Sequence, residues 1–192
     1  MSRTLLLALL VSPLLAAPEG TDDSRRLGPD RAPTPYSAEE IKKACAEGRT
    51  DTFRIERGKE TWKHTIKFTK CDAQGAEVES TNTTEDGKST TSKDRQLWTD
   101  FQAHGSFPEA DTKITEETIE VPAGKFECLL YTVQKRDGDP ATVRMYFAKK
   151  LAGPPVKYTS EQMGKVVFTM TLLEHKDGTP KEGEKAPEKG KD

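Results

Sequence analysis

The side chains best suited to chemistry in this 192-residue chain are three cysteines, Cys45, Cys71 and Cys128, and three histidines, His64, His104 and His175. A cysteine nucleophile needs a nearby base and partial exposure, because the thiolate is the attacking form. Cys128 has three histidines to draw on, but their spacing singles out none of them. Metal ligands come at short fixed intervals, and the chain has no His-x-x-x-His, no Cys-x-x-Cys and no acidic run with calcium-loop spacing. Neither a metal nor a cofactor is expected. "GKST" at Gly87–Thr90 is similar to the end of a phosphate loop, but the first glycine of that motif would fall on Asn82. Glu116 and Glu117 are neighbours in a strand, so they point to opposite faces and cannot work as a carboxylate pair.

The elements that would position these groups emerge from hydrophobic period. "SAEEIKKACAEG" opens with a capping box, Ser37 with Glu40, and puts Ile41, Ala44 and Cys45 on one face. A short helix over about 38–47 is expected, stopped by Gly48. From Thr52 the period becomes two. "TWKHTIKFTK" sets Trp62, His64, Ile66 and Phe68 against lysines and threonines, the pattern of a half-buried strand. "AEVESTNTTEDGKSTT" reads as a polar strand pair turning at Asp86-Gly87. Leu97, Trp98 and Phe101 break the alternation and suit a second short helix or an ordered loop.

"ETIEVPAGKFECLLYTV" resumes the alternation on both sides of a corner. Pro122 presets its backbone angle, Ala123 is tolerated at the next position, and Gly124 takes the positive φ of a glycine bulge. Val121–Gly124 is therefore read as a mechanical hairpin turn rather than a catalytic loop. Val143, Met145 and Phe147 alternate in the next strand. A short strand with Val156 and Tyr158 comes after it, and then a longer one with Val166, Phe168, Met170 and Leu172. Short connections make neighbouring strands antiparallel. The expected fold is α+β and mostly β: a curved antiparallel meander of roughly seven to nine strands, a half-barrel, with one or two short helices on its apolar face.

The ends have a different composition. Residues 1–17 read as a secretory signal peptide: Arg3, an apolar run from Leu5 to Leu15, then Ala16-Ala17. That run is shorter than the roughly 20 residues of a membrane span. A secreted or periplasmic location is expected. Its removal leaves 29 basic against 32 acidic residues, a near balance with no pull toward nucleic acid. Residues 18–35, with four prolines and two glycines, read as a disordered linker. Residues 36–175 form the domain. Residues 176–192, with five lysines and five acids, read as a disordered charged tail, leaving His175 in solvent.

Two segments carry a resemblance. "TEETIEVPAGKFECLLYTV" and "RMYFAKKLAGPPVKYTSEQMGKVVFTMTLLE" resemble uncharacterised secreted bacterial proteins. In those a PAGxF hairpin precedes an aromatic-Phe-Ala strand and a Gly-x-Pro-Val-Lys strand. In outline the pattern is similar to periplasmic lipoprotein carriers, curved sheets that wrap helices and shelter an apolar ligand. The resemblance implies a half-barrel, and it supplies no active-site residues.

Three functions stay open. The first is a non-catalytic module that binds an apolar small molecule or an envelope protein. Its candidate lining is Trp62, His64, Phe68, Phe126, Met145, Phe147, Phe168 and Met170. On the plainer reading these residues only fill the core. The second is an enzyme with a dispersed site at His64 or Cys128. The third is a structural module joined through a sheet edge. Three cysteines allow one disulfide in three ways. A Cys45–Cys128 bridge would tie helix to sheet, while three small buried hydrophobes are the other reading.

Overall fold

The computed structural model describes residues 23–136, 138 and 140–179. The signal-peptide expectation lies outside these residues. Helix α1 (Ala38–Ala44) starts as the capping box requires: the Ser37 Oγ accepts from Glu40 N, and the Glu40 carboxylate accepts from Ser37 N at 2.7 Å. It is shorter than expected because Cys45 already leaves helical geometry, at φ −102 and ψ 83. Helix α2 (Trp98–Ala103) forms where the strand alternation fails.

Among the described residues nine strands make one curved, unclosed antiparallel sheet. They are β1 (Thr50–Arg57), β2 (Glu60–Cys71), β3 (Gly75–Thr84), β4 (Ser89–Leu97), β5 (Thr112–Val121), β6 (Gly124–Lys135), β7 (Ala141–Ala148), β8 (Lys157–Gln162) and β9 (Lys165–Lys176). The order across the sheet is β4-β3-β2-β1-β9-β8-β7-β6-β5. The sheet is therefore two meanders rather than one, joined where β9 pairs with β1. Leu172 opposite Phe53, and Met170 opposite Ile55, put apolar pairs at that join, which fixes the register. The long connection from β4 to β5 carries α2, so α2 crosses the sheet instead of continuing it.

The Val121–Gly124 corner is a hairpin turn. Val121 pairs with Gly124 across Pro122-Ala123, and Gly124 sits at φ +137. The backbone there needs glycine.

The linker expectation is corrected, and the start of the expected tail moves. Residues 23–35 do not hang free. Thr34 and Ala32 are almost fully buried, and Arg31 bridges Pro108. The segment has little apolar surface of its own and is ordered by polar contacts. Tyr131 Oη donates to Pro33 O at 2.8 Å, Gln102 Nε2 donates to Ser24 O at 2.8 Å, and Arg25 Nε donates to Glu40 Oε2 at 2.9 Å. At the other end Lys176 closes β9, and the chain through Thr179 folds back to donate its N–H to Glu47 O at 2.9 Å. Residues 180–192 of the expected tail lie outside the described residues.

Candidate functional site

The apolar side chains fall into two clusters. One joins Phe53, Ile55, Cys128, Val156 and Leu172, with Phe168 and Leu151 packed on it. The other joins α1 and α2 to the sheet through Tyr36, Ile41, Phe68, Trp98, Tyr131 and Phe147. The second cluster encloses a cavity of about 370 Å³. Phe68, Val78, Met145 and Phe147 form its floor; Ile41, Cys45 and Phe101 form its roof; Gly153, Pro154 and Pro155 form one rim. Aromatic edges stiffen the walls. Tyr131 meets Phe147 at 5.3 Å and 81°, and Phe101 lies 5.8 Å from Phe68, separations at which ring pairs attract.

The buried polar side chains of the lining, Tyr36 and Gln102, are already paired, whereas Ser80, Gln96, His104 and Tyr158 also border the cavity. Tyr36 Oη donates to Ala148 O at 2.6 Å. Gln102 Oε1 accepts from Ala38 N at 2.9 Å, and its Nε2 reaches Thr34 Oγ1 at 3.1 Å. Among the described residues no buried side-chain nitrogen or oxygen lacks a partner. Burial pushes the Tyr36 hydroxyl far above its ordinary value, and pushes the Cys45 thiol up to about 11, so both are neutral at pH 7. The cavity offers apolar surface and no free charge.

The structure divides the side chains expected to line a site. Phe68, Met145, Phe147 and Met170 line the cavity. Trp62, Phe126 and Phe168 do not; they pack on the other cluster. His64 is neither core nor lining: it is half-buried on β2, with Nδ1 2.8 Å from Asn82 Oδ1. Cys128 is 1% exposed, its thiol is raised to about 11 mainly by burial, and its Sγ lies 3.7 Å from Phe126 O. A thiol so placed is a poor nucleophile. Four strands separate β2 from β6 in the sheet, which keeps His64 away from Cys128. The expected Cys45–Cys128 bridge is not formed. All three cysteines are thiols, with Cys45 in one cluster and Cys128 in the other.

The sheet order and the crossing helices make this a curved sheet with a partly open roof. It is similar to part of MucB. In the complex of Pseudomonas aeruginosa MucA and MucB the match has a TM-score of 0.53 at 14% identity, over 75% of this chain and 57% of that one. MucB alone gives 0.52 at 13% identity, over 75% and 58%. MucB with MucA(peri) gives 0.51 at 13%, over 75% and 56%. This chain thus spans little more than half the length of those chains, and the likeness is one of fold. No family model matches the sequence, and no curated protein matches it.

Several lining residues carry no signal in the sequence. Pro35 and Tyr36 stand where a segment of linker-like composition ends, and Gly153–Pro155 have the composition of a turn before a strand. Cys45 lies on the apolar face of α1 as its spacing requires, but nothing in the helical period distinguishes a roof over a void from a roof over a packed core.

Proposed function

We propose that this chain is a non-catalytic binding module of the cell envelope that shelters an apolar ligand, by size a single acyl chain, in the cavity beneath α1 and α2. The observation that carries this reading is a 370 Å³ hollow lined mainly by apolar side chains, with no Asp, Glu, Lys or Arg among them and with its buried polar members, Tyr36 and Gln102, already paired. A site built to recognise a charged molecule turns charged side chains toward it, and this lining has none. The volume is at the lower end of the roughly 300–1,000 Å³ usual for small-molecule sites. The signal-like N-terminus supports export, and the MucB-like fold is compatible with an envelope role.

The MucA–MucB complex favours a second reading, in which the same hollow takes an apolar segment of a partner protein. One experiment separates the two. Native mass spectrometry of the gently purified mature protein is followed by titration with a fluorescent fatty acid. An added mass in the lipid range, and saturable uptake of one probe that Val78→Phe abolishes, support the acyl-chain reading. Val78→Phe adds a ring to the cavity floor and leaves the charged groups unchanged. A copurifying polypeptide, displaced by no fatty acid, favours the protein partner. A bare mass with no uptake removes the carrier reading.

A further inference from the structure

Four stretches of chain converge on one buried guanidinium beside the cavity. Arg49 is 1% exposed, and its Nε donates to Asp51 Oδ2 at 3.0 Å. Its Nη1 donates to Ala44 O at 3.2 Å and to Ala152 O at 2.6 Å. The other Asp51 oxygen is 2.6 Å from His175 Nδ1, and His175 Nε2 is 3.0 Å from Asp177 Oδ1. The expectation that His175 is solvated is thereby corrected: its ring lies between two carboxylates. Beyond Asp177 the chain turns back onto the residues just past α1. Thr179 N–H donates to Glu47 O, and Gly178 is seated so closely that a Cβ would lie 2.5 Å from both Ala46 O and Glu47 O. Gly153 is equally tight, at φ +144, with a would-be Cβ 2.7 Å from Arg49 Nη2.

Two of these stretches are cavity walls, since Cys45 and Gly153 line it. Arg49 holds both, because a planar guanidinium donates in several fixed directions at once. The third stretch, at Asp51, is locked inside the sheet. The fourth is held differently. The Asp177 side chain is 94% exposed, and among the described residues Gly178 and Thr179 are secured by one backbone hydrogen bond and the close glycine contact. Segments held so lightly open before the core does.

We propose that residues 177–179 are a strap that locks both cavity walls through His175, Asp51 and Arg49. With the strap docked, the 45–48 turn is clamped between Gly178 and the guanidinium. With the strap undocked, the turn loses its outer support and His175 loses one of its two carboxylates, so the hold of Arg49 on Ala152 slackens. The consequence for ligand release rests on the binding reading above; the locking of the walls does not.

The test is amide hydrogen exchange on the full chain with no ligand, comparing wild type with Gly178→Val. The valine Cβ cannot fit against two backbone carbonyls, so the strap is expelled while every cavity residue and the Arg49–Asp51 pair stay as they are. Thr179→Pro, which removes the strap's N–H donor, is the second variant. Amides of residues 44–49 and 151–153 are expected to exchange about tenfold faster in both variants, the protection one hydrogen bond supplies. The β3–β4 hairpin is expected to be unchanged. Unchanged exchange at 44–49 and 151–153 in both variants overturns the proposal. So does faster exchange at 44–49 without any at 151–153, because the path through Arg49 would then carry nothing. A fluorescent fatty acid is added afterwards, and its dissociation is expected to be about tenfold faster from Gly178→Val. If the walls loosen but wild type takes up no probe, the binding reading fails and the strap stands. If the probe binds but the walls do not respond, the strap fails and the binding reading stands.

Discussion

Leu172 on β9 and Met145 on β7 are buried side chains of similar volume, two strands apart in one sheet. Leu172 is surrounded. Phe53 and Val156 pack in its cluster, and Leu151 closes over that cluster. Met145 has sheet neighbours on one side and the cavity on the other. Side-chain chemistry does not explain the contrast, since both clusters are rich in aromatic and aliphatic residues. The covering element does. Around Leu172 a curved sheet and its loops close on themselves. Over Met145 the roof is two short straight helices, of 7 and 6 residues, and a straight rod laid across a curved surface touches it only at intervals. Native cores are packed nearly to crystal density, so a hollow held open by paired polar groups is a feature to be tested.

The largest expected effect comes from the polar strut on the cavity side. Arg49→Met leaves Asp51, 1% exposed, without its guanidinium partner. Removing one member of a buried ion pair costs about 3–5 kcal/mol, so the urea midpoint should fall steeply. His175 still faces the other Asp51 oxygen and limits the loss. Among the described residues the closed cluster contains no buried ion pair. A loss under about 1 kcal/mol, the range of an exposed pair, would mean that the strut is not what keeps the two regions different.

Next comes a direct comparison of the two sites. Leu172→Ala removes a fully surrounded side chain and should cost about 4 kcal/mol, near the top of the usual range. Met145→Ala enlarges a void that already exists, loses contacts on one side only, and should cost about 2 kcal/mol. Chemical denaturation of the two variants measures the gap. Equal costs would mean that the hollow is closed in solution, and the contrast between the regions would disappear.

Much of this architecture is legible in the sequence. Ser37 and Glu40 announce α1, Pro122-Ala-Gly124 announces a hairpin, and the period-two runs announce the strands. These are local signals, written in residues within one turn or one strand of each other. The illegible part depends on contacts across long separations. Thr34 and Pro33 look like linker because composition counts apolar surface, whereas this segment is ordered by Tyr131 and Gln102, side chains distant in sequence. Alternation puts Trp62, Phe68, Phe126 and Phe168 on buried faces, but cannot say that only Phe68 of these four meets the cavity. His175 looks terminal because its partner Asp51 is 124 residues away in the chain. The expected pairing of cysteines fails for the same reason: face and distance are set by sheet order, which a single strand does not encode.

The smallest expected effect uses the thiols as reporters of the same contrast. Cys45 roofs the cavity and Cys128 sits in the closed cluster; burial, the first cause in each case, raises both to about 11 from an ordinary 9.0. Beside Cys45 the Arg49 cation works against that rise, and Asp51 and Cys71 add to it. A thiol whose value is raised on folding binds its proton more tightly in the folded state. Its stabilising contribution is therefore complete below pH 9 and is lost as pH climbs through 11. The urea midpoint should fall between pH 9 and 11, and a Cys45→Ala, Cys128→Ala double variant should fall less. The tyrosines are present in both proteins, so the difference between the curves reports the thiols together with the smaller influence of Cys128 on Tyr36 and Tyr146. Alkylation at about pH 8, just under the ordinary thiol value, then sharpens the regional comparison. Half-exposed Cys71 should react first with N-ethylmaleimide. Cys45 should be second, because a small apolar reagent can reach it through the hollow without unfolding, and Cys128 should come last, because it waits for its cluster to open. If Cys128 reacts as fast as Cys45, the hollow gives no access, and the two regions are alike in the one property that binding would require.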